Sequence, residues 1–127
     1  MARALTAVVA VLAMTGTAHA ADGSIRKAYG NWSRGDGQAR VRLAPCGSAV
    51  CAVNIWVRDP AGSEKIGDRL VMKLRPVGAG AWSGTAYDPQ RTLTYAMTMT
   101  LLGDGLQTRG CILGGIICRN VGWKRLR

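Results

Sequence analysis

Residues 39–56, ARVRLAPCGSAVCAVNIW, constrain the fold more than any other stretch: two alternating apolar runs flank a short turn, and Cys46 and Cys51 bracket that turn. Alternation with period two is the mark of a strand with one buried face, so the stretch reads as a disulfide-closed β-hairpin. A two-residue loop at Ser48-Ala49 places Cys46 directly opposite Cys51. The same register puts Val41 and Leu43 on one face with Asn54 and Trp56. The cysteines, which share parity with Arg42 and Ala44, fall on the other face.

The rest of the chain repeats this pattern. Residues 22–27 form a polar lead-in, residues 29–33 a short strand, and Gly35-Asp36-Gly37 a turn. Pro60 and Gly62 mark a loop after the hairpin. Leu70, Met72 and Leu74 then alternate with charged neighbours, and Gly78-Ala79-Gly80 turns into residues 81–87. After the turn at Asp88-Pro89-Gln90-Arg91 comes the clearest strand, where Leu93, Tyr95, Met97, Met99 and Leu101 alternate with Thr94, Ala96, Thr98 and Thr100. Gly103-Asp104-Gly105 and Gly114-Gly115 punctuate the last strands. About eight short strands with Gly-rich turns and no amphipathic helix define an all-β chain. Hairpin-like junctions favour a small antiparallel up-and-down β-barrel, whose closure removes exposed edges.

The first twenty residues read as a signal peptide, with Arg3 as the basic start, an apolar stretch over residues 4–14 and an Ala18-His19-Ala20 cleavage site. Residues 21–127 then form one domain, exported to the periplasm or secreted, with no transmembrane segment after cleavage. The four cysteines Cys46, Cys51, Cys111 and Cys118 in an oxidising compartment imply two disulfides. Three pairings are open from the count. Local geometry favours Cys46 with Cys51 and Cys111 with Cys118, since a Gly114-Gly115 turn sets the latter two opposite each other. Neither spacing suits a four-thiolate zinc site, so neither a metal nor a cofactor is expected.

The one histidine is His19, which leaves with the leader. Histidine-based triads, metal sites and pH switches are thereby excluded. Carboxylates such as Asp36, Asp59, Glu64, Asp68, Asp88 and Asp104 sit in turns, where Asp is a turn former, and no spacing demands a facing catalytic pair. The chain is read as non-catalytic, without catalytic residues. Its formal net charge of +10 is scattered along the sequence, which reads first as solubility and offers no nucleic-acid motif.

The motifs GNW at Gly30 to Trp32, ARVRLAPCGSAVC, WSGTAYDP from Trp82, RGCILGGIIC and a terminal WKR resemble the bacterial exported family catalogued as domain of unknown function 2147. That resemblance implies a small β-barrel with disulfides and names no ligand. The Gly-x-Trp of Gly30 and Trp32 with a basic Arg125 near the end is also similar to lipocalin and calycin barrels. There, such a basic residue packs across the tryptophan and closes the barrel, a cation on an indole face worth about 1 kcal/mol.

The four tryptophans suggest either a packed interior or a wall for a small apolar or amphipathic ligand. Parity places Trp56, Tyr95, Met97, Met99 and Trp123 inside, with Asn54 and Arg119 as the polar residues able to hold a ligand's polar end. Binding of such a ligand by a monomer in the cell envelope is the leading reading. The alternative is a structural or interaction module whose basic surface contacts anionic envelope components.

Overall fold

The computed structural model describes residue 2, residues 4–12 and residues 25–127. The expected cleavage site at Ala18-His19-Ala20 lies outside the described residues. Residues 4–12 are exposed and carry no helix or strand, and no described helix is long and apolar enough to cross a membrane. Eight strands follow: β1 Gly30–Arg34, β2 Ala39–Cys46, β3 Ala49–Val57, β4 Arg69–Gly78, β5 Ala81–Asp88, β6 Leu93–Leu102, β7 Gly105–Ile112 and β8 Ile117–Arg125. Each pairs antiparallel with the next, and β8 returns to β1, so the sheet closes as an up-and-down barrel.

Alternation decides which side chains enter. In β2, Ala39, Val41 and Leu43 are buried while Arg40 and Arg42 are exposed. In β6, Met97 and Met99 are buried on either side of the exposed Thr98. Trp32, Trp82, Met99 and Leu106 are the largest side chains fully buried in the barrel. Burial of groups this size is the dominant stabilising contribution in a small domain. Gly84 sets β4 against β5: a Cβ there would lie 1.9 Å from the carbonyl oxygen of Lys73, a backbone atom that cannot step aside.

The last residues of the N-terminal lead-in, from Ile25 on, take a defined turn. A short 3₁₀ turn at Arg26–Ala28 brings the Ala28 carbonyl to 2.9 Å from the Trp32 indole N–H that donates to it. Arg125, opposite Trp32 in the β1–β8 pairing, lies with its guanidinium carbon 4.3 Å from the centroid of that ring. Its Nη1 donates to the Tyr29 carbonyl at 3.0 Å and its Nη2 to the Lys27 carbonyl. Gly30 has a φ of +128°, and a Cβ there would stand 3.1 Å from Arg125 Nη1. Backbone conformation and lack of space thus both call for glycine ahead of Trp32.

The organising hairpin is corrected in two respects. Its loop is Gly47-Ser48, not Ser48-Ala49, because Gly47 takes the positive φ of 62° that the tight turn requires. Cys46 therefore pairs with Ala49 and Cys51 with Ala44, and the disulfide runs diagonally across a Cα–Cα distance of 5.7 Å. A shift of two residues preserves parity, so both cysteines remain on the outer face. The second correction is a β-bulge. Val41 pairs with Asn54 but Arg40 pairs with Trp56, leaving Ile55 as the extra residue. Trp56, expected inside, is thereby turned outward. It stacks under Arg40, whose guanidinium carbon is 4.8 Å from the ring centroid.

The second disulfide has the expected register, Cys111 opposite Cys118, although the turn is longer than Gly114-Gly115. It includes Leu113, at a φ of 53°, and Ile116 around a single 3₁₀ turn.

Candidate ligand-binding site

The 3₁₀ turn and the Trp32–Arg125 contact close much of one end of the barrel, leaving a second pocket of about 340 Å³ between Ile25, Tyr29, Leu74 and Trp82. At the other end the interior opens into a cavity of about 390 Å³. Its walls come from alternate residues of several strands. Val41, Leu43, Met72, Met97, Met99 and Leu106 are buried, and Tyr95, Val121 and Trp123 are partly covered above them. Gly110, beside Tyr95 and Met97, contributes no side chain and so leaves room.

Polar groups gather at the mouth. Arg34, which shares the inward parity of Trp32, donates through Nη1 and Nη2 to both oxygens of Glu64 at 2.6 and 2.7 Å. Its Nε donates to Asp36 at 2.9 Å. The loop between β3 and β4 supplies Ser63 and Glu64 to the cavity lining. Besides the Arg34 contact, this loop is held by Arg91, whose Nη2 donates to the Ser63 carbonyl at 3.5 Å. Arg34 and Arg91 belong to opposite sides of the barrel, so the loop spans the opening like a strap.

Electrostatics at the mouth follow from these pairings. The Glu64 hydrogen bond raises the pKa of Arg34 against the opposing effect of burial, and Asp36 adds to the rise. The same bond holds Glu64 below its ordinary value, more than offsetting burial. Burial pushes Asp36 upward, but Arg34, the Gln38 backbone N–H and the charge of Arg119 outweigh it and hold the carboxyl low. Asp88 is likewise pushed up by burial and brought below its ordinary value by Arg91 and Gln90. Each of these carboxylates is engaged with an arginine.

Arg119 differs. It lines the cavity, its side chain is 72% exposed, and among the described residues its one acidic partner within ion-pair distance is Asp36 at 3.9 Å, with Glu64 near enough to feel its charge. Asn54 also lines the cavity, but its Nδ2 donates to the Lys65 carbonyl at 3.2 Å, so its amide holds the strap. The Trp123 indole N–H donates to Thr108 Oγ1 at 3.0 Å, satisfying both within the wall.

Of the residues expected at a site, Tyr95, Met97, Met99, Trp123, Asn54 and Arg119 come together around this cavity, whereas Trp56 does not. Sequence reading missed Arg34, Glu64, Arg91, Met72 and Leu106. Arg34 was recoverable from its parity with Trp32, and Met72 from its alternating strand. Glu64 was not, because a loop residue reaching 30 positions back to Arg34 has no local signature. Among the described residues no group of three His, Cys, Asp or Glu side chains stands where it could hold a metal.

A closed eight-stranded antiparallel barrel with two outer disulfides and an interior cavity defines the class. Within it, the profile of the family described as an uncharacterized protein conserved in bacteria, domain of unknown function 2147, matches residues 30–125. The chain belongs to that family. The match runs from Gly30 to Arg125, the two residues that meet at the closed end. No curated protein and no solved structure matches the chain.

Proposed function

We propose that this protein is a non-catalytic, monomeric binder, exported to the cell envelope, of one small amphipathic molecule with an anionic end. The observation that carries the reading is the cavity of about 390 Å³, apolar in its depth, with Arg119 at its mouth beside the paired arginines Arg34 and Arg91. Its size falls in the range of small-molecule pockets, about 300–1,000 Å³. Met72, Met97 and Met99 are adaptable walls for an apolar body. Arg119, the mouth cation with the loosest acidic partner, is suited to a carboxylate or phosphate. The carboxylates a hydrolase would need are instead tied to arginines. Two disulfides accord with an oxidising compartment, and closure of the sheet leaves no strand edge for a second copy to extend.

Titration with decanoate, followed by tryptophan emission, tests the reading. Saturable one-to-one binding is expected, and Met97→Trp, which fills the cavity, should abolish it while the barrel stays folded by circular dichroism. Binding unchanged in a folded Met97→Trp variant would place the ligand elsewhere and overturn the reading.

A further inference from the structure

The outer wall of the barrel is divided in chemistry. Following the register, Lys124 of β8, Ser33 of β1, Arg40 of β2 and Trp56 of β3 lie side by side across four strands. The neighbouring row runs Asn31, Arg42, Val53 and Arg69 from β1 to β4. Lys124, Arg40, Arg42 and Arg69 are all exposed, and among the described residues none has an acidic partner within ion-pair distance. Asp88 is the one acid in any of the eight strands, and it is buried. The opposite wall, with Ser83, Thr85, Thr94, Thr98 and Thr100 facing out from β5 and β6, is neutral. Arg109, on β7, is an isolated cation there and donates to Asn120 at 3.1 Å, much as Arg42 donates to Asn31 at 3.3 Å.

The bulge adds an apolar component to the basic wall. Successive residues of a regular strand alternate sides, but Ile55 and Trp56 are both exposed, at 39% and 37%. An amphipathic aromatic beside an isoleucine and several cations matches the headgroup level of a bilayer. A soluble polyanion would take neither of these two side chains out of water.

We propose that the β8–β1–β2–β3–β4 wall docks on an anionic phospholipid surface, with Lys124, Arg40, Arg42 and Arg69 facing headgroups and Ile55 and Trp56 entering the interface. This assignment stands apart from the cavity, since the wall faces outward from different residues of the same strands. It requires no occupied interior.

Co-sedimentation of residues 21–127, the chain left by the expected cleavage and containing the whole closed barrel, with phosphatidylglycerol-containing and pure phosphatidylcholine vesicles tests it. The exposed apolar residues 4–12 are thereby kept out of the comparison. Binding should favour the anionic vesicles and weaken steeply with salt. Each cation removed should lower partitioning about fivefold, so Arg40→Gln with Arg42→Gln should cost about 25-fold, and Arg109→Gln should have no effect. Because Arg40 also stacks on Trp56, Arg69→Gln with Lys124→Gln provides a second pair free of that contact, expected to lose as much. Ile55→Ser with Trp56→Ser should weaken vesicle binding and leave binding to heparin, a soluble polyanion, unchanged. Equal binding to both vesicle types, or a loss in Arg109→Gln matching that of the wall variants, would overturn the proposal. So would vesicle binding unaffected by the Ile55 and Trp56 changes, which would leave a soluble polyanion as the partner.

Discussion

Arg125 and Trp32 lock the first strand to the last: they are register partners across β1 and β8, and the guanidinium lies over the indole at 4.3 Å. The contact joins the two ends of a 96-residue separation through the hydrogen bond from Arg125 to the Tyr29 carbonyl. It also helps cover that end of the barrel, while the larger cavity opens at the opposite end.

Replacing Arg125 with Met removes the cation and both backbone hydrogen bonds. Stability should fall by about 2–3 kcal/mol, with Arg125→Lys intermediate because a point charge cannot reproduce the fork. Urea denaturation of the three proteins, compared at equal m-values, measures this.

Gly84→Ala should be among the most damaging single changes in the chain. The new Cβ meets the Lys73 carbonyl oxygen at 1.9 Å, so β4 and β5 must separate. A loss of about 3 kcal/mol or more is expected. An unchanged denaturation midpoint would overturn the close approach of β4 and β5 at this position.

The tryptophans should divide sharply. Trp82→Ala empties a fully buried position and should cost about 3–5 kcal/mol. Trp56→Ala, on the outer face with 37% of its surface exposed, should cost about 1 kcal/mol, the loss of its stacking with Arg40. Parallel thermal melts distinguish the two.

Acid should loosen the strap. Glu64 and Asp36 have folded pKa values below their ordinary 4.5 and 3.8. The charged forms are therefore favoured by folding. Their contribution is present above those ordinary values and is lost as pH falls through the lower folded ones. Stability should decline from ~pH 5 towards ~pH 3, and Glu64→Gln should be less stable at neutral pH but show a shallower decline. Denaturation midpoints across this range test the sign.

If Arg119 holds the ligand's charged end, Arg119→Gln should weaken decanoate binding about fivefold, the modest value suited to an exposed cation. Affinity for decanol, which has the same body without the charge, should not change. Isothermal titration of both probes separates head recognition from a general effect on the cavity.

The eight strands were legible because each carries its own two-residue alternation, and hairpin turns marked by Gly, Asp and Pro determine neighbour pairing locally. Tyr95, Met97 and Met99 could be assigned to the interior on that basis alone, as could the pairing of Cys111 with Cys118. Trp56 could not. Parity carries from Val41 to Asn54 and then breaks at Ile55, and nothing in AVNIW distinguishes a bulged run from a regular one.

By itself the sequence determined an all-β chain of short antiparallel strands, the local cysteine pairs and the residues facing inward wherever the alternation is unbroken. These are nearest-neighbour properties, dictated by pleat geometry and turn chemistry. The outward turn of Trp56, the strap joining Glu64 to Arg34 and the volume left between the methionines were decided only in the tertiary structure. Each depends on where residues distant in the chain meet, and on how much space their side chains leave unfilled once the sheet has curled shut.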